Sequence, residues 1–146
     1  ESIHNANPKI IVRQIGLYPI CAIDLNGYCC LNTVFMIVPK LKSDVNMNCI
    51  LGILNSNLIE WYLYNITGTL GKGMKIGQKS NFEKIPIPPI TPANQSIVKQ
   101  IENLVDKILE AKKENPQADT SELEREINNL VYRLYDLTEE EIKIIG

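Results

Sequence analysis

The feature that most constrains the fold of this chain is a proline-rich segment at residues 85–92, which has the sequence IPIPPITP. Proline fixes the backbone φ angle and has no backbone N–H, so four prolines at this density exclude both a helix and a central β-strand. The sequence therefore predicts an extended segment whose isoleucine side chains are partly buried. We call residues 85–92 the proline segment.

The proline segment separates two unlike parts of the chain. At 146 residues the chain is long enough for one hydrophobic core and too short for two ordinary domains. We predict an α+β fold: a small mixed β-sheet with helices, followed by an antiparallel helical hairpin. The front part, residues 1–90, ends in the proline segment, and the back part, residues 91–146, contains the hairpin and a short terminal helix.

Composition excludes several classes of protein. No apolar run approaches the ~20 residues that a membrane helix needs, and 45% hydrophobic residues with 22% charged ones are typical of a soluble globular protein. The cysteines have neither the CxxC spacing of a zinc site nor the pattern of a secreted disulfide framework, so we expect reduced, mostly buried thiols in a cytoplasmic protein. They are Cys21, Cys29, Cys30 and Cys49.

Charge is unevenly distributed between the two parts. The front part has eight basic and five acidic side chains, a net charge of +3, whereas the back part has seven basic and twelve acidic ones, a net charge of −5. Phosphate attracts the positively charged front part and repels the negatively charged back part. If nucleic acid is a partner, we expect the front part to contact it.

The front part has strand signals at residues 9–15, 20–24, 28–30 and 33–38. Asn26-Gly27 predicts a tight hairpin between the second and third of these strands. The fourth is nearly all apolar, so we expect it to be central in its sheet.

Helical spacing of apolar residues begins near Ile50 and is interrupted at residues 55–57, which predicts one bent helix or two short ones. Ser43 and Asp44 are candidate N-caps. Residues 68–77 contain four glycines and are predicted to form an exposed, mobile loop.

In the back part, Thr91-Pro92 is typical of a helix start. Two seams with spacings of four and three residues then predict the helical hairpin. The seams are Ile97, Ile101, Leu104, Ile108 and Ala111, and Leu123, Ile127, Leu130, Leu134 and Leu137. Candidate capping boxes are Ser121 with Glu124 or Asp119 with Glu122 for the second helix, and Thr138 with Glu141 for a last helix at residues 139–145.

Catalytic motifs are incomplete. His4 is the only histidine, so a histidine-based triad is excluded. Asn7-Pro8-Lys9-Ile10 differs at its third and fourth positions from the Asn-Pro-Pro-Tyr type of motif found in amino-methyltransferases. Glu141-Ile142-Lys143 has the letters of a metal-nuclease motif, but it is predicted to lie on a surface helix among other acids. We predict no catalytic, cofactor-binding or metal-binding residue in this chain.

Candidate DNA contacts are nevertheless present in the front part. Gly71-Lys72-Gly73 has no Ser or Thr after the lysine and so lacks the full phosphate-loop pattern. The glycine-rich span does combine cations that bind phosphate with amides that read adenine edges. The predicted contacts are Lys72, Lys75, Gln78 and Lys79, with Asn81 as a further amide, together with Arg13 and Gln14 at the end of the first strand.

Trp61, Tyr62 and Tyr64 allow two interpretations. They are a stacking platform for single-stranded bases, or they are core residues of a helix. Their helical spacing favours the core.

Taken together, these elements resemble the TaqI-like C-terminal specificity domain of adenine-specific DNA methyltransferases, and one half of the specificity subunit of type I restriction–modification systems. The resemblance extends over about residues 8–146. The stretches that carry it are PKIIVR (8–13), NTVF (32–35), LGILNS (51–56), IPIPPI (85–90), IENLVDKI (101–108) and LEREINNLVYRLYDLT (123–138).

The resemblance implies that the chain recognises a short sequence of double-stranded DNA and does no chemistry itself. A methyltransferase domain that uses S-adenosylmethionine, with or without a nuclease, is expected to precede residue 1 and to be positioned by this module. The helical hairpin is expected to dock that domain or a second subunit, with dimerisation through the hairpin as one form of this. The alternative is a protein-interaction module that acts through the hairpin without binding DNA.

Overall fold

The structure is a computed structural model that describes residues 6–16, 20–30, 32–40, 45–67, 69–70, 74–76 and 79–146. Within these ranges, no helix is long and apolar enough to cross a membrane. The predicted α+β class is confirmed. Strands occupy the front part and helices dominate the back part.

The described strands form two small antiparallel sheets in place of the single mixed sheet that we predicted. The first sheet has the order β3-β1-β4 and the second the order β2-β6-β5. The strands are β1 (Lys9–Arg13), β2 (Ile15–Gly16), β3 (Cys21–Asp24), β4 (Val34–Ile37), β5 (Thr69–Leu70) and β6 (Met74–Ile76).

The centre of the first sheet is β1, so the prediction that the 33–38 strand is central was wrong. Ile10 and Val12 of β1 are completely buried. All four side chains of β4 are half-buried. The apolar composition of β4 therefore reflects partial cover on both of its faces and not a central position.

The predicted hairpin at Asn26-Gly27 was also wrong, because β3 pairs with β1 and no strand follows at residues 28–30. The Asp24 carboxylate accepts hydrogen bonds from the backbone N–H groups of Asn26 (2.8 Å), Gly27 (3.1 Å) and Tyr28 (2.7 Å). These donors are thereby removed from strand pairing, which is the known competition between a short polar side chain and a ladder.

The predicted interruption of the first helical region is confirmed, since there are two helices, α1 (Met47–Leu54) and α2 (Asn57–Ile66). Ser56 caps α2. Asn46 caps α1, and not Ser43 or Asp44, which lie outside the described residues.

The predicted loop at 68–77 contributes β5 and β6 to the second sheet. A short helix, α3 (Lys79–Phe82), follows.

The proline segment has no helix or strand. Tyr135 and Tyr62 hold its N-terminal end, donating hydroxyl hydrogen bonds to the carbonyls of Pro86 (2.8 Å) and Lys84 (3.3 Å). Partial burial is confirmed for one isoleucine only: Ile85 is 8% exposed, whereas Ile87 and Ile90 are 41% and 44% exposed.

The hairpin consists of α4 (Gln95–Glu114) and α5 (Ser121–Leu134), followed by α6 (Glu139–Ile145). The predicted start at Thr91-Pro92 is early, because Asn94 is the N-cap of α4. The Asn94 side chain accepts a hydrogen bond from the Thr91 N–H (2.8 Å) and donates one to the Pro89 carbonyl (2.9 Å). These two bonds connect the turn at residues 89–94 to the start of α4.

The predicted caps of the back helices had different outcomes. Thr120, and neither Ser121 nor Asp119, is the N-cap of α5, and its buried hydroxyl donates to Glu124 at 2.6 Å. The capping box of Thr138 and Glu141 at the start of α6 is confirmed.

One hydrophobic core joins the front and back parts. Helix α1 contacts β1 and β3 on one side and α4 on the other. At Gly52 the two helices approach so closely that an added Cβ would lie 2.7 Å from Cγ2 of Ile101. The predicted seams are confirmed in outline, with Ile101, Leu104, Ile127 and Leu130 buried and their remaining members half-buried.

Candidate nucleic-acid interface

The two sheets meet where β1 ends, and two predicted DNA contacts lie at this junction. The backbone N–H of Arg13 donates to the Ile20 carbonyl and that of Gln14 to the Thr33 carbonyl, each at 3.1 Å. These bonds come from opposite sides of β1 and fix the point at which the chain passes into β2. Arg13 is exposed and Gln14 is half-buried.

The junction also brings Lys75 towards Arg13. In the second sheet Gly16 pairs with Lys75, which pairs with Thr69 on its other side. The Arg13 guanidinium lies against Gly16, because a Cβ added there would be 2.7 Å from Cζ of Arg13. Residues far apart in sequence are therefore neighbours here, and we call Arg13, Gln14, Gly16 and Lys75 the sheet junction.

The remaining predicted contacts are not all brought to the sheet junction. Lys72 and Gln78 lie outside the described residues. Lys79 begins α3, is exposed, and pairs with Glu83 at 3.4 Å, a surface ion pair of little energetic weight. Asn81 is buried, 6% exposed, so its amide does not face solvent and the predicted base-reading role was wrong.

One front-part cation is unavailable to phosphate. Lys9 is completely buried and pairs with Asp24 at 2.7 Å. The hydrogen bond from Lys9, followed by those from the backbone of Asn26 and Tyr28, holds the pKa of Asp24 below its ordinary value. This pair anchors the start of the β3–β4 connection. The sequence gives little sign of it, because a lysine at the start of a strand is ordinarily solvated.

Gly16 and two exposed lysines, Lys40 and Lys84, were missed as candidates in the sequence. An isolated glycine next to a strand signals close backbone approach, and that signal was present for Gly16. No sequence signal shows that Lys40 and Lys84 are exposed while Lys9 is buried. That difference arises only from tertiary packing.

The aromatic residues of α2 are less buried than their spacing predicts. Trp61 is 38% exposed and Tyr64 is 58% exposed, so the preferred core interpretation was wrong for both. They border a cleft of about 330 Å³ with Glu60 and Ile145. The interpretation of these rings as a base-stacking platform stays a prediction.

The cysteines divide into two pairs. Cys21 and Cys49 are buried, which raises the pKa of their thiols to about 12 and about 11, whereas Cys29 is exposed and Cys30 half-buried. The prediction that most are buried was therefore wrong for one pair. In the described part of the chain, no cluster of three or more potential metal ligands is found.

In the nuclease-like Glu141-Ile142-Lys143 sequence, the Glu141 carboxylate forms hydrogen bonds within a helix cap. Glu141 accepts hydrogen bonds from the backbone N–H (2.8 Å) and hydroxyl (2.9 Å) of Thr138, and these hold its pKa below the ordinary value. Its role in the described residues is to cap α6.

The family to which the chain belongs is found by comparison with known protein families. A sequence model of the TaqI-like C-terminal specificity domain matches residues 1–87, which is more than half of the chain and includes both sheets and α1 to α3. Residues 88–146 lie beyond the matched range, so the likeness of the hairpin stays a prediction. No curated protein matches the chain.

Proposed function

We propose a function for this chain from the premise that it belongs to the TaqI-like C-terminal specificity domain family. Such a domain is a DNA-recognition module of a methyltransferase or restriction system and is non-catalytic in itself. The finer proposal is that this chain reads a short sequence in double-stranded DNA with the sheet junction and with residues of the glycine-rich 68–77 stretch. The family match over the part that contains these residues carries the proposal.

The charges and exposures of the front part support this assignment. The front part has a net charge of +3, and its buried cation Lys9 is balanced by the buried Asp24 carboxylate, so the other residues of the front part keep the excess of +3. Arginine and lysine supply phosphate contacts, and Arg and Gln side chains read base edges in the major groove. The contacts proposed are Arg13, Gln14, Lys72, Lys75, Gln78 and Lys79.

For the complete enzyme we propose adenine-N6 methylation with S-adenosylmethionine by a separate catalytic domain. A duplex has to be opened and the target base flipped for that chemistry, so the recognition module has to fix the register of the catalytic domain on DNA. The division of labour proposed is recognition by residues 1–90 and docking of the catalytic domain or a second subunit by residues 91–146. The shared core supports it, because α1 packs against β1 and β3 of the front part and against α4 of the back part.

A salt titration of DNA binding tests the proposal. Roughly three to five phosphate contacts should give a log–log slope of affinity against salt of about −3 to −4.5. If the hairpin instead pairs with another protein and the chain has no role on DNA, binding to a duplex pool should be absent even at low salt. That outcome would favour the protein-interaction alternative, whose hydrophobic contacts depend only weakly on salt.

A further inference from the structure

We propose that Gly16 is a positioning residue for DNA recognition, because the absence of its side chain lets the Arg13 guanidinium lie against strand β2, next to the strand position that pairs with Lys75. The inference rests on the proposed DNA-binding function. It adds a residue that has no side chain with which to contact DNA and that determines the position of the Arg13 guanidinium.

The geometry leaves no room for a side chain at position 16. A Cβ added to Gly16 would lie 2.7 Å from both Cζ and Nε of Arg13. Real Cβ atoms essentially never approach a heavy atom that closely. Even an alanine at this position therefore has to displace the guanidinium.

The backbone on both sides of this contact is fixed. The Arg13 N–H donates to the Ile20 carbonyl at 3.1 Å, and Gly16 pairs with Lys75 in the second sheet. The three atoms nearest to a new Cβ all belong to the far end of the flexible Arg13 side chain. A substitution at Gly16 should therefore move the guanidinium while leaving the fold unchanged.

A guanidinium in a defined position suits a pair of acceptor oxygens or nitrogens. Its planar fork donates two parallel hydrogen bonds, either to O6 and N7 of guanine or to two oxygens of a phosphate. Two such bonds form only when the guanidinium plane is correctly oriented. Contact of the Arg13 guanidinium with β2 provides that orientation. The ligand class is thus a forked acceptor on duplex DNA.

A double-mutant cycle on the 146-residue chain tests the role of Gly16. The probe is a pool of short duplexes with a randomised centre, and the variants are Gly16→Ala, Arg13→Ala and both together. Arg13→Ala should weaken binding by roughly 5- to 150-fold, the range for loss of one bidentate contact. Gly16→Ala should weaken it several-fold, and should have no further effect when Arg13 is already alanine.

Ile15→Ala is the matched control, since Ile15 is the adjacent β2 residue and is 49% exposed. It should bind like the wild type. The melting temperatures of Gly16→Ala and the wild type should agree, which separates positioning from folding.

The selected duplexes identify the acceptor. Relaxed preference at one base pair in both Gly16→Ala and Arg13→Ala indicates guanine, and uniform weakening across all sequences indicates phosphate; either result supports the positioning role. Unchanged affinity of Gly16→Ala, or an equal loss with and without Arg13, would overturn it. A wild-type chain that binds no duplex would instead overturn the proposed function itself.

Discussion

The helical hairpin is held by side chains buried along its own length, whereas the sheet junction is held by backbone bonds to distant parts of the chain. Ile101 and Leu104 of α4 and Ile127 and Leu130 of α5 are at most 6% exposed. At the sheet junction, strands of two and three residues meet and Arg13 is exposed. The comparison teaches that the hairpin depends on apolar side chains buried along both of its helices, whereas the exposed Arg13 lies just beyond Val12, a buried residue of β1.

The largest effect expected from this contrast is at the hairpin seam. Leu104→Ala or Leu130→Ala should lower the free energy of unfolding by about 2–5 kcal/mol, because each removes a buried side chain and leaves a cavity. Urea unfolding followed by circular dichroism measures the loss. Leu25→Ala, at a site that is 56% exposed, is the matched control and should change little. An unchanged midpoint for both seam variants would refute the packed hairpin.

The buried Lys9–Asp24 pair is an electrostatic contact among the described residues of the front part. Asp24→Asn should lower the melting temperature by several degrees at neutral pH, because it leaves the buried Lys9 ammonium without its counter-ion. Glu110→Gln, at an exposed position on α4, is the control.

The Lys9–Asp24 pair also predicts the direction in which stability changes with pH. Because the folded-state pKa of Asp24 lies below the ordinary value of 3.8, its stabilisation is complete above about pH 4 and is lost as the pH falls through the folded-state pKa. The gap in melting temperature between the wild type and Asp24→Asn should therefore shrink on acidification. If the difference in melting temperature between the wild type and Asp24→Asn stayed constant at every acidic pH, the Asp24 carboxylate would not be the stabilising partner.

At Gly52, where the front and back parts meet, we expect substitution by alanine to change stability in the direction opposite to that expected from helix propensity. Gly→Ala in a helix interior ordinarily stabilises by roughly 0.5–1 kcal/mol. Here Gly52→Ala should destabilise by about 1–3 kcal/mol, because the new methyl group overlaps Ile101. Ile101→Ala removes Cγ2, so the double variant Gly52→Ala with Ile101→Ala should lose less stability in thermal unfolding than the sum of the two single losses. Stabilisation by Gly52→Ala alone would contradict the close approach of α1 and α4.

The smallest effect is expected at the end of α5. Asp136 has a φ of 54° in the left-handed region, and the Leu137 N–H donates to the Tyr132 carbonyl at 3.0 Å, as in a helix C-terminal motif. Asp136→Gly should stabilise by about 0.5 kcal/mol, since glycine adopts this conformation without strain. Asp136→Ala should not stabilise. A loss on Asp136→Gly would show that the aspartate side chain has a role of its own.

The accuracy of sequence-based prediction follows the same contrast. The hairpin, the break between α1 and α2, and the α6 capping box depend on residues three or four apart, and all were predicted. The position of β1, the fate of Asn26-Gly27 and the burial of Lys9 depend on partners distant in sequence, and all were missed. A turn dipeptide predicts a hairpin only when its flanking N–H groups are not already bonded, and here Asp24 accepts them.

The candidate site was predicted in part. Strand position singled out Arg13 and Gln14 and the glycine-rich span singled out Lys75, and their contacts with DNA stay predictions. Nothing in the sequence shows that Gly16 pairs with Lys75 and lies against Arg13. Asn81 and the aromatic residues of α2 show the converse error, since local spacing does not determine which face of a short helix other elements cover.

The most direct test of the central claim compares two pairs of lysines in one duplex-binding experiment across a salt series. Lys72→Ala with Lys75→Ala removes two front-part cations, and Lys99→Ala with Lys107→Ala removes two exposed cations from α4. The front pair should lose roughly tenfold or more in affinity and about 2 in the salt slope, with unchanged melting, while the back pair should bind like the wild type. Wild-type affinity in the front pair, or an equal loss in both pairs, would contradict recognition of DNA by the front part.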